Sequence, residues 1–263
     1  ALERTTLVAA VTGFAVVLVL DVLLRRGGRQ AWPTVSLALS IVLALLTAAV
    51  AGRWLRESQG PFLTLYDVLL SNLFSLTLVY LVAAWLVPAL RQSSAIVVAF
   101  LALLGIWSLT ESAVAVPLPA TFDNPWLWLH VTAGKLFLGL CLPAAATALW
   151  LLVRSGGAAS ESGEMDAAVW LTLSLAFVCH SFMLIAGAIW AHSAWGRYGA
   201  WESLETWTFI TWLCIALLLH ARVTFRRMPV SYGWSAVVAI FGLAILTFLG
   251  VPFLSIAPHK GVM

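Results

Sequence analysis

The sequence predicts an all-α protein: a polytopic membrane helix bundle of about eight transmembrane helices, with both termini extracytoplasmic. Three observations predict it. Of the 263 residues, 62% are hydrophobic and 10% charged, whereas a water-exposed domain carries about 25% charged residues to cover its surface. Apolar runs of about 18 residues or more recur along the whole chain, each long enough to cross the hydrocarbon core as a helix. Short segments rich in Gly, Pro and Arg punctuate those runs. Residues 1–263 therefore read as a single integral membrane domain with no sizeable soluble part.

The elements follow in order, with ends good to a few residues. A first span of about 5–24 closes on "RRGGRQAWP". A second, about 33–51, closes on "RESQGP". The third and fourth, about 64–89 and 94–115, flank Arg91 and end at "VPLPATFDNP". The fifth, about 128–153, runs to "RSGGAASESGEMD", within which "SGGAASESGEM" reads as the most flexible loop and one without chemistry. The sixth, about 168–192, leads into a tryptophan-rich external segment, 190–212. The seventh and eighth, about 206–225 and 233–256, are parted by "RRMPVSYG". The first apolar run is long and its arginines follow it, so no signal peptide is expected.

Arginines orient the chain. Arg25, Arg26, Arg29, Arg91, Arg154, Arg222, Arg226 and Arg227 fall on one side of eight spans. Arg4, Arg53, Arg56, Arg197 and Lys260 fall on the other. The first set is larger and more clustered, which makes it cytoplasmic. The tryptophan segment then lies outside. The net charge of +3 is small, and no basic cluster with interleaved polar residues offers a nucleic-acid surface. The surface faces lipid. Cys141, Cys179 and Cys214 all sit inside apolar runs without a CxxC, as buried structural cysteines do.

Five histidines sort by this map. His130, His192 and His259 belong to the outer side with the tryptophans. His180 and His220 fall inside the membrane, both about 20 Å below the outer rim on consecutive antiparallel helices. Ionisable residues at such depth are functional candidates by default. Two imidazoles at one level suit a haem iron held from both faces; they equally suit hydrogen bonds to carbonyls or hydroxyls of other helices. For His130 and His259 spacing is silent, because they come from distant parts of the chain.

Trp190, Trp195, Trp201, Trp207 and Trp212 crowd around one loop. Interfacial belts enrich tryptophan, but scatter it. Clustered indoles make a rigid apolar platform that stacks on a planar macrocycle at little entropic cost. Arg53, Arg56, Arg197 and Lys135 are cations on the same side for carboxylates of such a ligand. Glu202 and Glu205 read as acceptors for indole N–H groups or as partners of Arg197.

"GAIWAHSAWGRYGAWESLETWTFITWLCIALLLHAR" resembles the tryptophan-rich signature of the cytochrome c assembly family, the CcsA, CcmC and HemX type of haem-handling membrane protein. "QGPFLTLYDVLLSNLFSLTLVYL" resembles its third-span opening, with Asp67 where glutamate is common. "NPWLWLHVTAGKLFLG" and "FLGVPFLSIAPHKG" resemble the segments carrying two external histidines. The resemblance implies that His130 and His259 are axial ligands of a haem b at the outer surface, on a platform of Trp195, Trp201 and Trp207 with Arg197 beside it. His220 matches a membrane histidine of an internal haem site in some members; His180 joins it on the depth argument alone. The family implies haem presented for thioether attachment to apocytochrome c, with a CcsB-like membrane partner, in the cytoplasmic (inner) membrane or an equivalent energy-transducing membrane.

The chain departs from the signature at Gly199 (tryptophan), Glu202 (aspartate), Ser203 (proline), Leu204 (lysine) and His192 (asparagine). These changes bear on the attachment reaction more than on haem binding. Three readings stay open: a haem-delivery subunit of a cytochrome c haem lyase or synthase; a haem b electron-transfer subunit or HemX-like regulator that retains haem; and a haem-free interaction subunit.

Overall fold

A computed structural model describes residues 2–57, 63–154, 159–225 and 229–251. The regular structure of the described residues is all helical, with no strand among them. Among the described residues eight helices are long and apolar enough to cross a membrane, as the hydropathy predicts. They are α1 (Leu2–Arg26), α2 (Trp32–Glu57), α3 (Leu65–Leu86), α4 (Ser94–Thr110), α5 (Pro125–Val153), α6 (Ala159–Trp195), α7 (Ser203–Thr224) and α8 (Val230–Ile245). A 3-10 stretch, Pro88–Ser93, precedes α4, and a π-helical stretch, Leu246–Gly250, extends α8. The helices group into two compact units, Ala1–Pro117 and Leu118–Met263.

One expectation fails at α6. It begins at Ala159, inside the stretch read as a flexible loop, and runs for 37 residues. That is about 55 Å at 1.5 Å per residue, against a hydrocarbon core of about 30 Å. Glu164, Met165 and Asp166 are good or adequate helix formers. Once the apolar part nucleates a helix, they extend it past the lipid. Asp166 then becomes an anchor. Its carboxylate accepts from the Trp170 indole at 2.9 Å, the Trp234 indole at 2.8 Å and the Arg222 guanidinium at 2.7 Å. It thereby ties α6, α7 and α8 at one end of the second unit.

In the first unit, α1 packs on α2 and α4, and α3 on α2 and α4. Close approach uses small residues: a Cβ on Gly13 would stand 2.6 Å from Val42, and one on Gly105 2.8 Å from Val11. Such contacts drive helix association where lipid offers no hydrophobic gain. Polar networks close both ends. At one, Asp21 pairs with Arg25 at 2.6 Å and accepts from the Ser94 hydroxyl. At the other, Thr64 and Asp67 form a reciprocal capping box on α3, and Asp67 also takes the Arg53 guanidinium at 2.8 Å. Arg56 is paired there with Glu3 and Glu57. Arg53 and Arg56, offered from sequence as cations for a ligand, are thus committed to carboxylates of their own unit.

Candidate functional site

The site is built in the second unit, on the pairing of α5 with α6 and of α7 with α8. Asn124 caps α5, its side chain accepting from the Trp126 N–H at 2.9 Å, and Pro125 opens the helix where a missing N–H costs nothing. This start carries His130 into the second turn. Its ring lies against α6: Nδ1 is 2.8 Å from the Met183 carbonyl oxygen, and the ring stacks on Trp190 at 6.3 Å with planes 23° apart. Trp190 is itself held, donating to the Thr121 carbonyl at 2.9 Å and meeting Phe122 edge-on.

The chain leaves α6 through Gly196, in the left-handed region at φ 72°, whose N–H bonds the His192 carbonyl at 2.9 Å. Glycine is the usual residue for that helix-ending turn. The loop 196–202 is then pinned from α7. One carboxylate oxygen of Glu205 accepts from the main-chain N–H groups of Ala200 and Trp201, each at 2.7 Å. Trp201 sits at φ 53°, a conformation that costs a bulky residue about 1–2 kcal/mol. The surroundings must hold it there, and Glu205 is the holder. A Cβ on Gly199 would meet the same carboxylate oxygen at 3.3 Å, so a side chain at this position asks Glu205 to give by a few tenths of an ångström.

A cavity of about 700 Å³ opens between these parts. Met183, Gly187, Ala188 and Trp195 of α6 form one wall; Tyr198, Trp201, Thr208 and Phe209 form another. His130 and Phe248 also line it, the latter delivered by the π-helical stretch, a feature frequent at functional sites. The volume lies within the range of about 300–1,000 Å³ of small-molecule sites. The described lining is mostly apolar, and its polar groups are the His130 imidazole, the already engaged Glu205 and the hydroxyls of Tyr198 and Thr208.

The sequence-derived candidates are distributed as follows. His130, Trp195 and Trp201 come together on the cavity. The indoles are walls, not one flat bed: Trp195 meets Trp190 at 64° and Trp201 meets Phe209 at 88°. Trp207 does not line the cavity and stands half-exposed on α7. Trp212 packs between Phe177 and Phe209 and donates to Ser181 at 2.9 Å, so its indole joins α7 to α6. Arg197 lines a smaller cleft of about 170 Å³ beside the cavity, with Trp195 and Glu202. Lys135 is half-buried on α5 away from the lining, and His192 stacks on Tyr198 at 4.4 Å. His259 lies outside the described residues.

Equal depth does not make His180 and His220 a pair. His180 is fully buried, stacked on Phe137 at 4.1 Å and edged by Phe248, with neither ring nitrogen hydrogen-bonded among the described residues. His220 lies exposed on α7 with Nε2 3.3 Å from the Thr224 hydroxyl. Depth follows from residue count, but the direction a side chain faces does not. The acceptor role expected of Glu205 is likewise found, on backbone N–H groups instead of indoles or Arg197. Sequence reasoning missed Met183, Gly187, Phe209 and Phe248. A helical projection of α6 was the available signal: positions 183, 187, 191 and 195 recur every fourth residue on one face.

Glu205→Ala is expected to free the loop. Amide exchange at Ala200 and Trp201 should quicken about 10-fold, the equivalent of about 1–2 kcal/mol of lost local stability. Glu205→Gln, which keeps an acceptor oxygen, should recover most of the protection. Unchanged exchange in the alanine variant would show that the loop stands without this contact.

Comparison with known proteins converges on one family. Residues 62–259 match the family described as "Cytochrome C assembly protein". The chain is 28% identical over 263 residues to the cytochrome c biogenesis protein CcsA of a Prochlorococcus marinus strain, covering 82% of this chain and 80% of that protein. It is 26% identical over 267 residues to the CcsA of Synechococcus sp. (strain CC9902), covering 86% of each. It is 26% identical over 258 residues to the CcsA of Atropa belladonna, covering 82% of this chain and 81% of that protein.

Proposed function

Because the chain belongs to the cytochrome c assembly family, and is an integral membrane protein of cytochrome c biogenesis, we propose that it holds haem b and presents it for attachment to apocytochrome c. The observation that carries this reading is the aromatic cavity with the His130 imidazole on its wall. The residues present fit the group. The lining is apolar and ring-rich, as a porphyrin face requires. A Cβ on Gly187 would stand 2.6 Å from the His130 ring, so the imidazole occupies a cradle that only glycine leaves open.

In this reading His130 and His259 would be the residues that hold the haem iron. Trp195, Trp201 and Phe209 enclose the macrocycle, and Arg197, in the neighbouring cleft, serves its carboxylates. Bound haem would supply an iron that takes imidazole nitrogens as ligands and vinyl groups able to take thioether bonds. The protein's own part is to orient and to exclude water. Holding two reactants in place supplies several kcal/mol without acid–base groups. His180 and His220 take no part, the one sealed and the other facing outward. The site lies at the extracytoplasmic rim of an energy-transducing membrane, where apocytochrome c and a CcsB-like partner meet it.

The test is the absorption spectrum of the protein purified in detergent from haem-replete cells. A Soret band at about one haem per chain is the expected result. No band, and no binding of added haemin, would overturn the reading. Coexpression with a CxxCH reporter separates delivery, which gives a covalent cytochrome, from retention, which leaves the reporter without haem.

A further inference from the structure

We propose that Gly187 and the main-chain carbonyl of Met183 act together as a tautomer lock on His130, keeping its proton on Nδ1 and leaving Nε2 as the one nitrogen with a lone pair to offer a ligand. Gly187 is thereby a positioning residue for the histidine, not merely a small residue in a helix.

The contact itself sets the proton. A carbonyl oxygen only accepts hydrogen bonds, so the 2.8 Å approach of His130 Nδ1 to Met183 O is a bond only when Nδ1 carries hydrogen. Neutral imidazole has one ring proton, so Nε2 is then bare. In bulk water the opposite form, protonated on Nε2, competes freely. Here it would place two lone pairs against each other at hydrogen-bond distance.

Glycine at position 187 makes the contact reachable. In an α-helix the carbonyl of residue 183 faces the N–H of residue 187 and keeps a second lone pair for another donor. Side chains lean toward the helix N-terminus, so a side chain at 187 would shade the carbonyl at 183. The distances bear this out: a Cβ on Gly187 would stand 2.6 Å from His130 Nδ1 and 2.9 Å from Cε1. Neither atom sits on a flexible end, because the ring is also stacked on Trp190 and rooted on α5. Any residue other than glycine forces the ring off the carbonyl. Ligating histidines generally donate their second nitrogen to such a partner, and removal of that partner weakens binding about 10- to 100-fold.

The purpose of the lock rests on the haem-holding reading, but its existence does not, and the experiment keeps the two apart. The haem-free protein with 15N-labelled histidine, at alkaline pH in detergent, is compared by NMR with Gly187→Ala and, for assignment, His130→Ala. His130 should show a protonated Nδ1 and a bare Nε2 in the parent, and a mixed or reversed pattern in Gly187→Ala. A parent protonated on Nε2 overturns the proposal, even if the alanine variant fails to fold. Haemin titration supplies the second arm. Gly187→Ala should bind about 10- to 100-fold more weakly than the parent, and should change nothing further in a His130→Ala background. Equal losses in both backgrounds would show that Gly187 shapes the cavity and not the ring, which also overturns the lock. A parent that binds no haemin but shows the Nδ1–H form sinks the haem reading alone.

Discussion

Asp67→Ala should destabilise the protein by about 3–5 kcal/mol, the largest stability loss expected of any single substitution in the first unit. Asp67 and Arg53 are both almost fully buried, 3% and 2% exposed. The carboxylate bonds Arg53 Nε at 2.8 Å through one oxygen and the Thr64 N–H at 3.0 Å through the other. The guanidinium reaches the Ala113 carbonyl at 2.7 Å and lies over the Tyr66 ring. Asp67 is therefore a helix cap and a counter-ion at once, linking α2, α3 and the segment after α4. Deleting it strands a cation in a site with little water, and the penalty is that of an uncompensated buried charge. Glu57, 3.6 Å from Arg53, is the only other carboxylate paired with it among the described residues. Asp67→Asn keeps the cap but not the charge and should cost less, about 1–3 kcal/mol. Equilibrium unfolding in detergent measures both. An alanine variant within about 1 kcal/mol of the parent would show that Glu57 takes over the pairing.

His130→Ala should remove the Soret band while leaving the fold standing. The stability change is expected to stay near 1–2 kcal/mol: one hydrogen bond to Met183 and one stack on Trp190 are lost. Haem retention should fall more than about 10-fold, since His130 is the one imidazole among the described residues lining the cavity and an iron left with a single protein nitrogen is held more weakly. His130→Gly with added imidazole should recover part of the band, because the vacated space then admits the free ligand. A band of unchanged position and intensity in the alanine variant would mean that the indole walls alone hold the cofactor and that His130 is a structural residue.

Much of this protein is legible in the sequence, for a physical reason. A lipid solvent tests each stretch of about 20 residues for hydropathy alone, with no knowledge of the rest of the chain. Hence the eight helices, and the placement of the tryptophan segment between α6 and α7, follow from composition in a sliding window. The cap at Asn124–Pro125 is local in the same sense. Family membership, carried by quoted segments and matched over residues 62–259, needed no coordinates either.

What only the tertiary structure decided is which way side chains face. Residue counts put His180 and His220 at one level, yet Phe137 and Phe248 seal the first and α7 turns the second outward. Nothing in "WGRYGAWESLETW" says that Glu205 reaches back to two backbone N–H groups, or that the indoles stand as walls. Gly187 looks idle until His130, 57 positions earlier, arrives against it. Hydropathy is one-dimensional and depends on near neighbours; the rotation of a helix about its axis is set by packing against partners far away in the chain. The membrane therefore dictates how deep each residue lies, and the partner helices dictate what it touches.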